Sequence, residues 1–271
     1  MRERPLRIWS YFIIFIFLFV PFSVRGQGSQ DDDPLEQALR WERVVFNSED
    51  PSETHSALIE KAKCYSEAGL PSEALRTLER VRMYLLEPVE ASKVLVRKSL
   101  YAKEAGDPLA ALGYLEESGL SGDYPALYSV LLAQSRRFDE AKVQAMEIAD
   151  SEADKEAVEN LFKKAPSIRK EGTAAVLSFI PPAGQIYVGK PWRGVLAMFL
   201  NAGAAGLTIY ELISHDWLTG FLGGGLLLNE TFFKGNMERN IQETSSFNQH
   251  SVEEFASRLE SLLSSFGASW F

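Results

Sequence analysis

Between residues 35 and 165, apolar residues recur three and four positions apart, with polar residues between them. This is the period of an α-helix that buries one face. Gly and Pro fall mainly between the periodic stretches, where they end one helix and begin the next. No alternating strand pattern of any length occurs in this part of the chain. The pattern therefore predicts an all-α domain.

One helix–turn–helix pattern can be followed through residues 58–78. Ala62 is small enough to let two helices approach, and Tyr65 fills the gap between them. Gly69 is placed to end the first helix, because glycine adopts the left-handed conformation found at helix ends. Ala74 then lies where the second helix packs against the first.

The same order of residues returns in residues 102–115 and 132–145, with Ala111 and Ala141 at the position of Ala74. The three alanines are 37 and 30 residues apart, on either side of the period of about 34 residues typical of tetratricopeptide repeats. Over residues 51–150 the chain resembles that family, with three degenerate copies. The later copies have Ala102 and Leu132 in the place of Tyr65.

The resemblance implies a helical solenoid, because such repeats bury their apolar faces only by stacking on one another. In that family the concave groove holds an extended peptide or a partner helix. The positions that would face a partner here are Lys63, Ser66, Glu67 and Lys103. The alternative is that these are ordinary solvated positions. We expect the neighbouring Cys64 to be a small buried packing residue rather than a nucleophile.

A second region, residues 173–233, is almost uncharged. Residues 194–213 and 217–233 are candidate membrane spans at the short end of spanning length, joined by a polar turn. Small residues four positions apart would let two such helices touch backbone to backbone. These residues are Ala202 with Gly206, and Gly220 with Gly224. The pattern predicts a transmembrane helical hairpin, and the alternative is a buried hairpin in a soluble protein.

The hairpin is preceded by Pro-Pro-Ala-Gly-Gln-Ile-Tyr-Val-Gly, residues 181–189. This resembles a Pro-Gly-x-Gly-Gln-x-Tyr-x-Gly signature of small bacterial membrane domains, with Pro182 in place of the usual glycine. We expect a structural elbow in which Gln185 and Tyr187 bond backbone groups left open by the broken helix. The motif residues are Pro181, Gly184, Gln185, Tyr187 and Gly189. The membrane domain would cover residues 173–236, with two spans, or three if residues 173–188 also cross.

Other segments complete the predicted organisation. Residues 1–26 have an arginine-rich start and a short apolar run, which is typical of a cleaved signal peptide, with an uncleaved anchor as the alternative. Residues 27–34 read as a linker, and residues 166–172 as a basic hinge. Residues 237–271 form an amphipathic tail that could lie on the membrane surface or on the hairpin.

Charge and composition limit the function. A net charge of −9 argues against a general nucleic-acid binder, which needs a basic face. No phosphate loop, metal cluster or nucleophile–base set is evident, so we expect a non-enzyme without cofactor or metal. The resemblance to the repeat family implies a scaffold of the bacterial inner membrane, with periplasmic repeats that bind a protein partner. By the same analogy the scaffold could form a homo-oligomer and assist envelope protein assembly.

Two other functions stay open at this point. Asn229 and Glu230 could line a path through an oligomeric transport or channel component. Glu211 and His215, four residues apart on one helix face, could belong to an enzyme.

Overall fold

The computed structural model describes residues 33–180, 182–222 and 234–268, and every regular element within them is a helix. The all-α prediction is confirmed for this part of the chain. The chain divides into two compact units, Met1–Arg82 and Met83–Phe271.

The described residues of the first unit form three helices, of which the second packs on both of the others. Each helix begins with proline, which suits the first helical turn because its missing N–H would have no partner there. Asp33 and Asp50 cap the first two helices by accepting backbone N–H groups at 3.0 and 2.9 Å. The helices are α1 (Pro34–Asn47), α2 (Pro51–Glu67) and α3 (Pro71–Glu79).

The second unit begins with a 3₁₀ turn, Met83–Leu85, followed by two helix pairs. In each pair the two helices contact each other, and α5 also contacts α6, which joins the pairs. The pairs are α4 (Pro88–Glu104) with α5 (Pro108–Ser118), and α6 (Pro125–Gln134) with α7 (Phe138–Ile148).

The first helix of each of three pairs, α2–α3, α4–α5 and α6–α7, ends in the same turn. In each turn a backbone N–H donates at 2.9 Å to the carbonyl five residues earlier. The residue before that donor has a positive φ, of 73°, 83° and 65° in chain order. This is the hydrogen bonding of a Schellman C-cap. The carbonyls belong to Tyr65, Ala102 and Leu132, and the positive φ to Gly69, Gly106 and Arg136.

The alanines that mark the repeat pattern lie at matching positions after these turns. Ala74, Ala111 and Ala141 are each completely buried, and each donates its N–H to the residue four positions earlier, in the turn. A side chain larger than alanine would separate the paired helices at these positions. The Schellman turn and the buried alanine therefore occur together in each of the three helix pairs where the sequence pattern occurs.

Six further helices follow in the described residues of the second unit. The last of them, α13, has 31 residues and packs on α6, α8, α9 and α10. These helices are α8 (Glu152–Phe162), α9 (Glu171–Leu177), α10 (Ala183–Tyr187), α11 (Pro191–Ile213), the single turn α12 (Trp217–Thr219) and α13 (Gly235–Ser265).

The apolar face of the C-terminal tail packs inside the protein. Phe255 is 4% exposed, and its ring meets those of Phe138 and Phe162 edge to face, with centroids 5.4 and 5.1 Å apart. Leu259 and Leu263 on the same face are fully buried. The sequence suggested the membrane surface or the hairpin as the place for this face. It lies instead against α6 and α8, with Phe255 in contact with Phe138 at the start of α7 and with Phe162 at the end of α8.

The described part of residues 173–188 contains no helix long enough to cross a membrane. It contains α9, of seven residues, and α10, of five. At about 1.5 Å per residue, even α9 covers only about 10 Å of a hydrocarbon core about 30 Å thick. Both helices pack on α13, which itself packs on α6 and α8.

Candidate functional site

The positions predicted to face a partner belong to different units. Lys63, Ser66 and Glu67 lie on α2 in the first unit, and Lys103 lies on α4 in the second. Lys63 and Glu67 are exposed and form an ion pair at 3.9 Å along the helix. This exposed face of α2 carries charges of both signs.

Lys103 is engaged within the chain. Its Nζ donates to Glu260 of α13 at 2.7 Å, and only 20% of the Lys103 side chain remains exposed. Beside it lies a cavity of about 460 Å³, bounded by the α4–α5 turn, the α6–α7 turn and α13. The lining includes Asp107, Arg136 and Glu253, so the cavity does not favour a ligand of either charge. The C-terminal helix thus occupies the surface that Lys103 would present.

Cys64 is 4% exposed, and burial raises the pKa of its thiol. Its Sγ lies 3.9 Å from Oε1 of Gln37 on α1. A buried thiol with a raised pKa is a weak nucleophile at neutral pH. Cys64 is a packing residue, as expected.

The elbow motif brings α10 very close to two other helices. A Cβ added at Gly184 would lie 2.5 Å from Nδ2 of Asn240 and 2.9 Å from the Cα of Ser178. Asn240 Nδ2 also donates to Ser178 Oγ at 2.8 Å, and Ser178 Oγ donates to the carbonyl of Ala174. Only glycine leaves room for this contact between α9, α10 and α13. Pro181 lies outside the described residues.

Two of the other motif residues, Tyr187 and Gly189, hold backbone in place, whereas no backbone bond is found for the Oε1 of Gln185 in the described part of the chain. Tyr187 accepts the N–H of Lys170 at 2.9 Å through its hydroxyl, at the residue that caps α9. Gly189 has a φ of 84°, in the left-handed region, where it ends α10 and allows α11 to begin at Pro191. Gln185 is 6% exposed, and its Oε1 has no hydrogen-bond partner among the described residues.

A polar stripe on α13, which the sequence reading missed, faces the elbow. Asn240, Thr244 and Asn248 are four residues apart and at most 1% exposed. Asn248 accepts the backbone N–H of Arg169 and donates to its carbonyl, both at 2.9 Å. The predicted basic hinge is therefore tied to α13 at its backbone. The signal in the sequence was the spacing of these three residues, four positions apart, which places them on one face of a helix.

An ion cluster lies at the start of α11. Oε1 of Glu243 on α13 lies 3.0 Å from Nζ of Lys190, 2.7 Å from Nη1 of Arg193 and 3.8 Å from Nε of Arg239. The Glu243 side chain is 17% exposed, whereas those of the three cations are 43, 51 and 65% exposed. The sequence reading missed Glu243 as well. The cluster ties the first turn of α11 to α13.

Helix α11 is the one helix in the described part of the chain that is long and apolar enough to cross a membrane. None of its most apolar 18-residue window is buried in the protein. Ala202 and Gly206 are exposed, and outside the backbone of α11 itself no described residue lies within 4 Å of a Cβ added at Gly206. Gly220, which follows α12, approaches Glu211 of α11, at 3.4 Å for an added Cβ. Gly224 lies outside the described residues.

Of the residues behind the two alternative functions, Glu211 and His215 are described. His215 is exposed in the turn after α11, with a φ of 64°. No group of three His, Cys, Asp or Glu residues among those described could hold a metal ion. Asn229 and Glu230 lie outside the described residues.

Comparison with known proteins leaves the family open. No family model matches the sequence, and no curated protein or solved structure is significantly similar to it.

Proposed function

We propose that this protein is a membrane-anchored scaffold in which tetratricopeptide-like repeats bind a protein partner. The observation that carries the proposal is the surface of α11. Its 23 residues extend about 35 Å, enough to cross a hydrocarbon core of about 30 Å. Phe199 and Leu207 are each 66% exposed and Ile213 73%. Each square ångström of such surface costs about 25 cal/mol in water. A bilayer removes this cost.

The anchor is a hairpin that leaves and returns on one side of the membrane. The chain departs at Pro191 and is back by Gly235, where α13 begins. Arg193, in the first turn of α11, pairs with Glu243 in the third turn of α13. The contacts of α13 with α6 and α8 support placing both ends of the hairpin on the side that holds these helices. The number of crossings is then even, and two spans fit the length.

The repeat assignment is supported by the three matching turns and by the buried Ala74, Ala111 and Ala141. In a solenoid of such repeats, the partner would be a protein segment. We place the contact on the exposed face of α2 that carries Lys63 and Glu67, because Glu260 already occupies Lys103. The signal-like residues 1–26 favour a bacterial inner-membrane protein with periplasmic repeats, acting in envelope protein assembly.

Extraction of membranes with alkaline carbonate tests the anchor. We expect the full chain to stay in the membrane pellet. Phe199→Asp with Leu207→Asp should move at least half of it to the supernatant, because a charge within a span costs about 2.5–3.5 kcal/mol. The matched control is Leu109→Asp with Val143→Asp, two exposed apolar residues outside α11. This pair should leave the protein in the pellet.

Two results would contradict the anchor. One is release of the unchanged protein by carbonate, and the other is retention of the α11 variant to the same extent as the control. The mass of the protein in the pellet shows whether residues 1–26 remain attached. An N-terminal anchor can thereby be told apart from the hairpin.

A further inference from the structure

We propose that Lys190, Arg193 and Arg239 bind the phosphate of an anionic phospholipid headgroup. The inference rests on the proposed membrane anchor, because it needs α11 to lie in a bilayer. It adds a ligand to a part of the protein that otherwise serves only to join helices.

The cluster is built so that its cations point outward. Glu243 lies beneath them and contacts all three through one oxygen, Oε1. An arginine has five N–H donors and a lysine has three, so one carboxylate oxygen engages only a few of them. The remaining donors are on side chains that are about half exposed. They are available to the oxygens of a second anion.

The charge of the cluster also calls for another anion. Three cations meet one carboxylate, which leaves a net charge of +2. The phosphodiester of a phospholipid reduces this excess, and arginine and lysine are the usual partners of phosphate oxygens. A phosphate in this position would contact α11 through Arg193 and α13 through Arg239.

The position favours a lipid over free phosphate. Arg193 is the third residue of α11, where the apolar helix begins. Trp192 beside it is 78% exposed, and tryptophan prefers the level of the headgroups. Leu196, one turn further along α11, is 55% exposed. A lipid with its phosphate on the cations can therefore lay its acyl chains along α11, and these contacts are not open to inorganic phosphate.

The test uses the full-length protein in zwitterionic nanodiscs that contain a small fraction of either phosphatidylglycerol or extra phosphatidylcholine. The number of lipids retained on transfer to detergent is counted by native mass spectrometry. We expect the unchanged protein to retain phosphatidylglycerol selectively. Lys190→Gln with Arg193→Gln and Arg239→Gln should reduce this selectivity at least about tenfold, since each cation near an anionic surface contributes favourably to binding.

The matched control removes the same charge from exposed positions elsewhere, as Lys163→Gln with Lys164→Gln and Arg258→Gln. It should keep the selectivity of the unchanged protein. Glu243→Gln retains the three cations and should bind phosphatidylglycerol at least as tightly. If the three cations affected lipid binding only by joining α11 to α13, Glu243→Gln would break that contact and weaken the binding of phosphatidylglycerol.

Several outcomes would overturn the inference. One is that the triple variant retains phosphatidylglycerol as selectively as the unchanged protein. Another is that the control variant loses as much selectivity as the triple variant. The third is that Glu243→Gln binds phosphatidylglycerol more weakly than the unchanged protein. Displacement of phosphatidylglycerol by millimolar inorganic phosphate would assign the cluster to a free anion instead. Carbonate extraction of the same variants separates the two proposals. A protein that stays in the membrane but lacks lipid selectivity contradicts the lipid site alone.

Discussion

Phe255→Ala is expected to lower the free energy of unfolding by about 3–5 kcal/mol, the usual cost of removing a buried phenylalanine side chain. The ring lies between those of Phe138 and Phe162, so its loss leaves a cavity that two other rings border. Its edge-to-face contacts are lost as well. Urea denaturation of the solubilised protein, followed by circular dichroism, measures the change.

The control for Phe255 is Phe46→Ala, the same substitution at a side chain that is 88% exposed. Its effect should stay within about 0.5 kcal/mol, as for most surface substitutions. If the two variants were equally stable, α13 would not be docked on α6 and α8. The proposed return of the chain to the repeats would then lose its basis.

Gly184→Ala is expected to cost about 1–3 kcal/mol, because it forces an extra methyl group into an overpacked contact. The added Cβ would lie 2.9 Å from the backbone Cα of Ser178, which cannot move aside as a side chain can. We also expect faster proteolysis between α9 and α11, since the elbow would separate from α13. The same denaturation measurement and a time course of trypsin cleavage report the two effects.

Gly113→Ala provides the comparison for Gly184, since nothing lies within 4 Å of a Cβ added there and the residue is inside α5. Replacing a helical glycine by alanine in open space stabilises by about 0.5–1 kcal/mol. Opposite signs for the two substitutions are therefore expected. A stabilising Gly184→Ala would show that α10 does not approach Ser178 and Asn240.

The local features of the fold could be predicted because their causes lie close together in the sequence. Helical periodicity indicated the all-α class, and Gly69 and Gly106 ended helices where φ is positive. At the third turn Arg136 adopts the same conformation at a cost that a sequence pattern does not reveal. The small residues Ala74 and Ala111 indicated the helix contacts within pairs, since such contacts join positions near in sequence.

The packing of α13 could not be predicted, because it depends on contacts between distant positions. The sequence showed that Phe255 and Leu259 share an apolar face but contained nothing to say what covers it. Lys103 was expected to face a partner, and Glu260, 157 residues later, occupies it. Gly184 was recognised within its motif. Glycine is needed at this position because the backbone approaches Asn240, a tertiary contact between residues 56 positions apart in the sequence.

The central claim is that the apolar segment leaves and returns on the side that holds the repeats. Single cysteines at Asp150→Cys, Ser214→Cys and Ser257→Cys, each exposed, test it in a Cys64→Ala background. A membrane-impermeant maleimide is applied to intact cells and to inverted membrane vesicles. We predict that positions 150 and 257 react from the same side and position 214 only from the other. Labelling of positions 150 and 257 from opposite sides would contradict the account.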